Sequence, residues 1–176
     1  MRLSVNDRAR ALATFRAVSV RLMEMTAAWT PTTPEMEVKV MFGRHIWDFA
    51  RQADALGHRT FELRHPDQWN LPPVEPFRRL LDEVAALEAT PGRLAALYDA
   101  VVPGLLRRYR EYLDATDGLL DAPSVDLVGR NAADLVRQRD DAVRLRAEQG
   151  IPAAPFQDLV RREASIETIV APETAA

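Results

Sequence analysis

Only three histidines are present, and two of them stand at helical spacing from a carboxylate: His45 with Asp48 three residues on, and His58 four residues after Asp54. Residues three or four apart share one face of a helix, so either pair could hold a metal ion or pass a proton. Ordinary pairing also accounts for both. An i,i+3 hydrogen bond beside an apolar seam explains His45 and Asp48, and Asp54 with His58 reads as an exposed helical pair. A lone carboxylate, Glu24, interrupts the apolar face made by Ala13, Ala17, Val20, Ala27 and Ala28 and is the candidate general base. Arg51-Gln52 and Arg137-Gln138-Arg139 supply guanidinium and carboxamide donors suited to carboxylate, phosphate or sulfate oxygens. The absence of cysteine excludes disulfides, zinc-thiolate sites and a cysteine nucleophile.

Helices must position these groups. Ser4 with Asp7 forms a capping box that opens a first helix running to about Trp29, closed by Thr30-Pro31-Thr32-Thr33. Its main apolar face carries Leu12, Phe15, Ser19, Leu22, Thr26 and Trp29. A second helix is expected from Thr33 as cap and Pro34 in the first turn to about Arg64, before His65-Pro66. Its seam, Phe42, Ile46, Phe49, Ala53, Leu56, Thr60 and Leu63, alternates spacings of four and three, as in a helix packed nearly antiparallel in a bundle. A proline-rich connection from His65 to Pro76 follows, with Trp69 and Leu71 as anchors. The spacing then predicts a short helix over 76–89, a helical arm restarting at Thr90-Pro91-Gly92, and a break or kink at Pro103-Gly104. A last long helix is expected from about Ser124 to Gln149, with Gly150 at its C-terminus. On that helix Val128, Ala132, Leu135 and Ala142 make a seam whose extension includes Arg139, a buried arginine in need of a carboxylate such as Glu24 or Glu111.

The whole reads as an all-α protein: residues 1–150 form one bundle domain and 151–176 a C-terminal extension. A length of 176 residues with 47% hydrophobic residues is enough for one buried core. A net charge of −3, with acidic and basic residues interspersed, argues against a nucleic-acid partner. No apolar run is long enough to span a membrane. The charged opening segment (Arg2, Asp7, Arg8, Arg10) points to the cytoplasm.

The run Glu35-Met36-Glu37-Val38-Lys39, continuing through Gly43-Arg44-His45-Ile46-Trp47-Asp48 to Ala53-Asp54-Ala55-Leu56-Gly57-His58-Arg59, resembles the second helix of bacterial ferritin-like proteins of specialised metabolism. Asp121-Ala122-Pro123-Ser124-Val125 resembles the turn into their last helix. The resemblance implies a ferritin-like four-helix bundle, here with an extra short helix and the C-terminal extension. It also implies a carboxylate and, three residues later, a histidine on two helices, with single glutamates on the others, for a di-iron centre. Those positions align with Phe49 and Gln52 on the second helix and with Leu135 and Gln138 on the last, so the ligand set is degenerate and no metal or cofactor is expected.

What remains is a polar interior. Glu24, Gln52 and Gln138, with one or more of Arg51, Arg137 and Arg139, are expected to line a cavity walled by Trp47, Tyr109 and Tyr112. Such a cavity would bind a polar or anionic small molecule. Three functions follow as expectations: a metal-independent enzyme or catalytic subunit of bacterial natural-product biosynthesis, with Glu24 as base; a non-catalytic scaffold in a homo- or heterodimer; or a di-iron or di-manganese oxidoreductase with other ligands.

Overall fold

The computed structural model describes residues 3–172, so Arg2 and the last four residues of the extension lie outside it. Helix α1 (Val5–Trp29) opens on the expected capping box: the Asp7 amide donates to Ser4 Oγ and the Ser4 amide donates to the Asp7 carboxylate, each at 3.1 Å. Helix α2 (Met36–Glu62) buries Phe42, Phe49, Ala53, Leu56 and Thr60 of the expected seam. Its start differs from the expectation. Glu35 holds the N-cap position without a side-chain cap, while Thr33 is buried, donates to the Trp29 carbonyl at 2.9 Å and accepts from Arg93 at 3.1 Å. The hydroxyl serves the junction of two other helices.

Leu63 to Ala89 crosses from the end of α2 to the next long arm. Trp69 stacks on His65, ring centroids 4.5 Å apart, and the Leu71 amide donates to the Ala13 carbonyl of α1 at 3.3 Å. Helix α3 (Glu75–Ala85) buries Phe77, Leu80, Leu81 and Val84 and ends four residues before the expected 89. The third arm is helical throughout: α4 (Thr90–Ala95), a π-helical turn (Ala96–Val101) and α5 (Val102–Ala115). The expected break at Pro103 is absent, because the Val102 amide reaches back five residues to the Leu97 carbonyl. That shift puts Pro103 in the first turn of α5, where a missing N–H costs little.

Helix α6 (Ala122–Gln149) ends at Gly150, whose φ of +61° is the left-handed C-cap conformation. Its buried seam is Ser124, Val128, Asn131, Leu135, Gln138 and Ala142, flanked by Leu127. Arg139 is therefore not on it. The 4-3 spacing passes through Gln138, and Arg139, one residue and about 100° further round, is exposed.

Side-chain pairings fix the directions. Arg51 meets Asp134 and Arg59 meets Asp121, so α2 and α6 are antiparallel. Asp99 meets Arg146 and Tyr112 meets Asp121, so the third arm is antiparallel to α6 and parallel to α2. Trp29 packs on Phe42, setting α1 against α2. The crossover thus returns the chain to the end of the bundle where α2 began.

Asp121 ties the other end together. It is fully buried and accepts from Tyr112, Thr116, Ser124 and Arg59. Burial pushes its carboxyl up, but those hydrogen bonds prevail and hold it below the ordinary range.

The extension packs against the bundle. Helix α7 (Gln157–Ala164) places the buried Glu163 against Arg108 of α5, which also donates to the carbonyls of Gly104 and Ile166 at 2.9 Å each. A Cβ on Gly104 would meet the end of the Glu163 side chain, which would have to move aside from its present place. Farther on, Ile169 is buried and accepts at its carbonyl from the Val74 amide at 3.0 Å. Among the described residues no helix is long and apolar enough to cross a membrane.

Candidate functional site

The polar groups collected by the fold lie between α2, α6 and the π-helical turn. From α2 come His45, Asp48 and Gln52, one turn apart and all buried. Antiparallel to them, α6 presents Asn131, Gln138 and the half-buried Asp141, with Asp134 and Arg137 at the edge. The π turn contributes Tyr98, fully buried, and Asp99, held by both Arg146 nitrogens at 2.5 and 2.8 Å.

His45 sits at the closed end of this row. Its Nδ1 lies 2.6 Å from the Tyr98 hydroxyl and its Nε2 3.6 Å from Asp141. Burial pushes the imidazole down to about 4, against the pull of Asp141 and Asp48, so the ring is neutral at neutral pH. Burial also holds the Tyr98 phenol protonated. With a carboxylate facing Nε2, the consistent arrangement has Nε2–H towards Asp141 and the Tyr98 hydroxyl donating to Nδ1.

Farther along, Asp48 accepts from Arg137 at 2.9 Å and from Gln138 Nε2 at 3.4 Å. Burial raises the Asp48 carboxyl, and these donors outweigh it and leave it below its ordinary value. Arg51 binds Asp134 at 2.6 Å, and Arg137 binds the same carboxylate at 3.0 Å. Both arginines are half exposed, so their pairs form a solvated rim of modest strength.

Inside the rim the groups are neutral and incompletely paired. Gln52 is 1% exposed, with neither its Oε1 nor its Nε2 hydrogen-bonded; Gln138 Oε1 and Asn131 Nδ2 are likewise buried without a partner. A group left unmet in a dry interior costs about 1–3 kcal/mol, so this row calls for partners from outside the protein. Phe49 and Leu135, both fully buried, supply apolar neighbours one turn away on the same helices.

The expected site residues divide accordingly. Gln52 and Gln138 do stand in the interior. Arg51 and Arg137 stand at its rim, committed to carboxylates. Glu24 does not reach the row: it is exposed in a surface cleft of about 270 Å³ with Arg21, Asn70, Arg78 and Asp82. The reason is that the crossover, through Leu71 and Pro72, and not another long helix, meets the alanine face of α1 at Ala13 and Ala17, and Ala27 and Ala28 stay exposed. Glu111 is exposed and pairs with Arg107 at 3.0 Å, so neither glutamate accompanies Arg139, itself on the surface. Trp47 is 69% exposed on the outer face of α2 and walls nothing. Tyr109 is buried, but it packs edge-on against Phe15 of α1, centroids 4.7 Å apart, with its hydroxyl beside Ser19. Tyr112 belongs to the Asp121 cluster. Asp54 and His58 are a surface pair, His58 bonding Asp67 at 3.2 Å.

Tyr98, Asp141 and Asn131 were not singled out by sequence. Asn131 had a signal, since it stands seven residues before Gln138 on one seam. Tyr98 had none, because its direction depends on the π turn.

The implied di-iron centre is not matched by the residues present. Phe49, Gln52, Leu135 and Gln138, which the resemblance aligns with its ligands, are all buried, and two hydrocarbon side chains with two carboxamides offer no anionic oxygen or imidazole. Among the described residues, no group of three or more histidines and carboxylates is disposed to hold a metal ion. Comparison of the chain with protein-family profiles, with characterised proteins and with solved structures returned no match.

Proposed function

We propose that the chain is a ferritin-like protein that binds a small polar metabolite between α2 and α6 without a metal. The observation that carries this reading is the interior row itself: where a di-metal bundle of this design needs carboxylates and histidines, Phe49, Gln52, Leu135 and Gln138 leave buried carboxamides with unmet hydrogen bonds. The ferritin-like assignment is supported by the long crossover between the second and third arms and by the antiparallel pairing of α2 with α6. A place in bacterial natural-product biosynthesis follows from the resemblance in α2. Catalysis, if it accompanies binding, falls to His45, the one buried imidazole in the row, and no longer to Glu24.

Mass spectrometry of the native protein, before and after denaturation, tests the reading together with elemental analysis. The expected result is a retained or titratable small molecule at one per chain and no stoichiometric transition metal. Two metal ions per chain would overturn it. So would a Gln52→Leu variant that is more stable than the parent while no molecule is retained, since the carboxamide would then be an internal defect.

A second reading, a scaffold subunit, is favoured by Met36, Val40 and Trp47, which expose apolar side chains on one outer face of α2. Sedimentation of the parent and of Trp47→Glu decides it: a dimer that dissociates in the variant supports a scaffold, and a parent that stays monomeric at high concentration removes it.

A further inference from the structure

We infer that α2 packs against α2 of a second copy of the chain, antiparallel and crossing at Gly43; this rests on the second reading above, the scaffold subunit. Helix α2 has two seams. One is buried in the bundle. The other, Met36, Val40, Gly43, Trp47 and Ala50, repeats spacings of four and three on the opposite side of the helix, and its Met36, Val40 and Trp47 are more than half exposed. A helix with an apolar seam on each side calls for a neighbour on each side. The other large apolar side chains exposed among the described residues, Phe61, Leu119, Leu120, Val136 and Val143, stand singly or in pairs and make no such run.

The exposed seam is its own complement. It runs from Met36 to Ala50 with Gly43 at its midpoint, and the next position in the spacing, Asp54, is polar. Turned about a two-fold axis at Gly43, Met36 falls opposite Ala50 of the second copy and Val40 opposite Trp47 of the second copy. A Cβ on Gly43 would meet nothing within 4 Å, so no contact inside the chain asks for glycine there. At the axis it lets two helix backbones approach closely. The charges beside the seam agree. The side chains of Glu37 and Arg44, seven apart on one flank, are exposed and have no ion pair or hydrogen-bond partner among the described residues, while Arg51, the next on that flank, is held by Asp134. With the axis at Gly43, Arg44 of one copy stands five residues, about 7.5 Å along the helix, from Glu37 of the other. The length of an arginine closes that gap, and the pair forms twice. On the other flank Lys39 comes level with Trp47 of the second copy, ammonium beside indole.

The chain has no cysteine, so introduced ones report the packing directly. Sedimentation velocity gives the oligomeric state of the full chain, and a short bismaleimide links cysteines that come within its reach. A dimer is expected. Met36→Cys combined with Ala50→Cys should be linked into a covalent dimer. Met36→Cys alone should not, because antiparallel packing about Gly43 sets the two copies of that residue about 21 Å apart. Glu37→Arg and Arg44→Glu should each weaken the dimer about tenfold, and mixing the two variants should restore it, since each charge then meets its opposite. A dimer linked through Met36→Cys alone, or one whose affinity neither charge reversal changes, would overturn the inference and leave the scaffold reading in place. A parent that stays monomeric at high concentration would give this face to another protein or to none, and would remove both.

Discussion

The hydroxyl of Tyr98 in the π-helical turn lies 2.6 Å from Nδ1 of His45 on α2, in a position where neither ring is exposed to solvent. The bond joins the third arm of the bundle to the second at the end where α6 also arrives, through Asp141.

A dependence of stability on pH follows. His45 titrates near 6.5 when unfolded and at about 4 when folded, so between those values the unfolded chain binds a proton that the folded chain does not. Stability therefore falls as the pH is lowered through that window, by about 3 kcal/mol at full extent. Asp48 and Asp121 have lowered values, and their contributions are lost at lower pH, from the ordinary carboxylate value downward. Urea unfolding at pH 7.5, 5.5 and 4.5 should show the decline, and His45→Gln should flatten it. An unchanged slope in that variant would assign the effect elsewhere.

Asp121 is the carboxylate whose removal should cost most. In Asp121→Ala the Arg59 guanidinium loses its buried partner, and Tyr112 and Thr116 lose their acceptor, a loss of about 3–5 kcal/mol. Asp121→Asn retains oxygen at the site and should lose less. Equal losses by chemical denaturation would show that the charge of the carboxylate, and not its shape, matters there.

Gly104→Ala should detach the extension while the bundle stays folded. The new methyl meets the end of the Glu163 side chain, and turning that carboxylate aside weakens its pairing with Arg108, which holds α7. Overpacking of this kind costs about 1–3 kcal/mol. Limited proteolysis is expected to cut between Ile151 and Gln157 faster in the variant, with the helical circular dichroism little changed. A cutting rate equal to the parent's would mean that α7 accommodates the methyl in place.

If Phe49, Gln52, Leu135 and Gln138 converge as the bundle design requires, a metal site can be built there. Phe49→Glu with Gln52→His and Leu135→Glu with Gln138→His together supply two carboxylates and two imidazoles from facing helices. Zinc is expected to raise the melting temperature of this quadruple variant and leave the parent unaffected. A variant that folds but is indifferent to zinc would show that the four positions do not share a centre.

How far the sequence foretold this structure depended on what each residue had to signal. The seam of α2 was legible because Phe42, Phe49, Ala53 and Leu56 are apolar at bundle spacing and nothing polar competes for the face. On α6 the same reasoning slipped by one residue. Asn131 and Gln138 are polar at seam positions, so Ala132 and Arg139 gave a more apolar-looking or equally plausible stripe, and the buried carboxamides were the price of that misreading as well as the candidate site. Glu24 was misplaced for a different reason. The alanine face of α1 is visible in sequence, but which element covers it is a matter of where the crossover runs. The π turn left no local trace beyond Pro103, and with it went any view of Tyr98.

The pairing of Arg108 with Glu163 has a consequence for the order in which the chain can mature. The two residues are 55 apart in sequence, and at roughly 5–20 residues per second the carboxylate follows its guanidinium by about 3–11 s during synthesis. For those seconds Arg108 has the Gly104 carbonyl of its own helix as its acceptor and no Glu163. The face of α5 around Gly104 and Arg108 is thus the last to be covered, when α7 has been made.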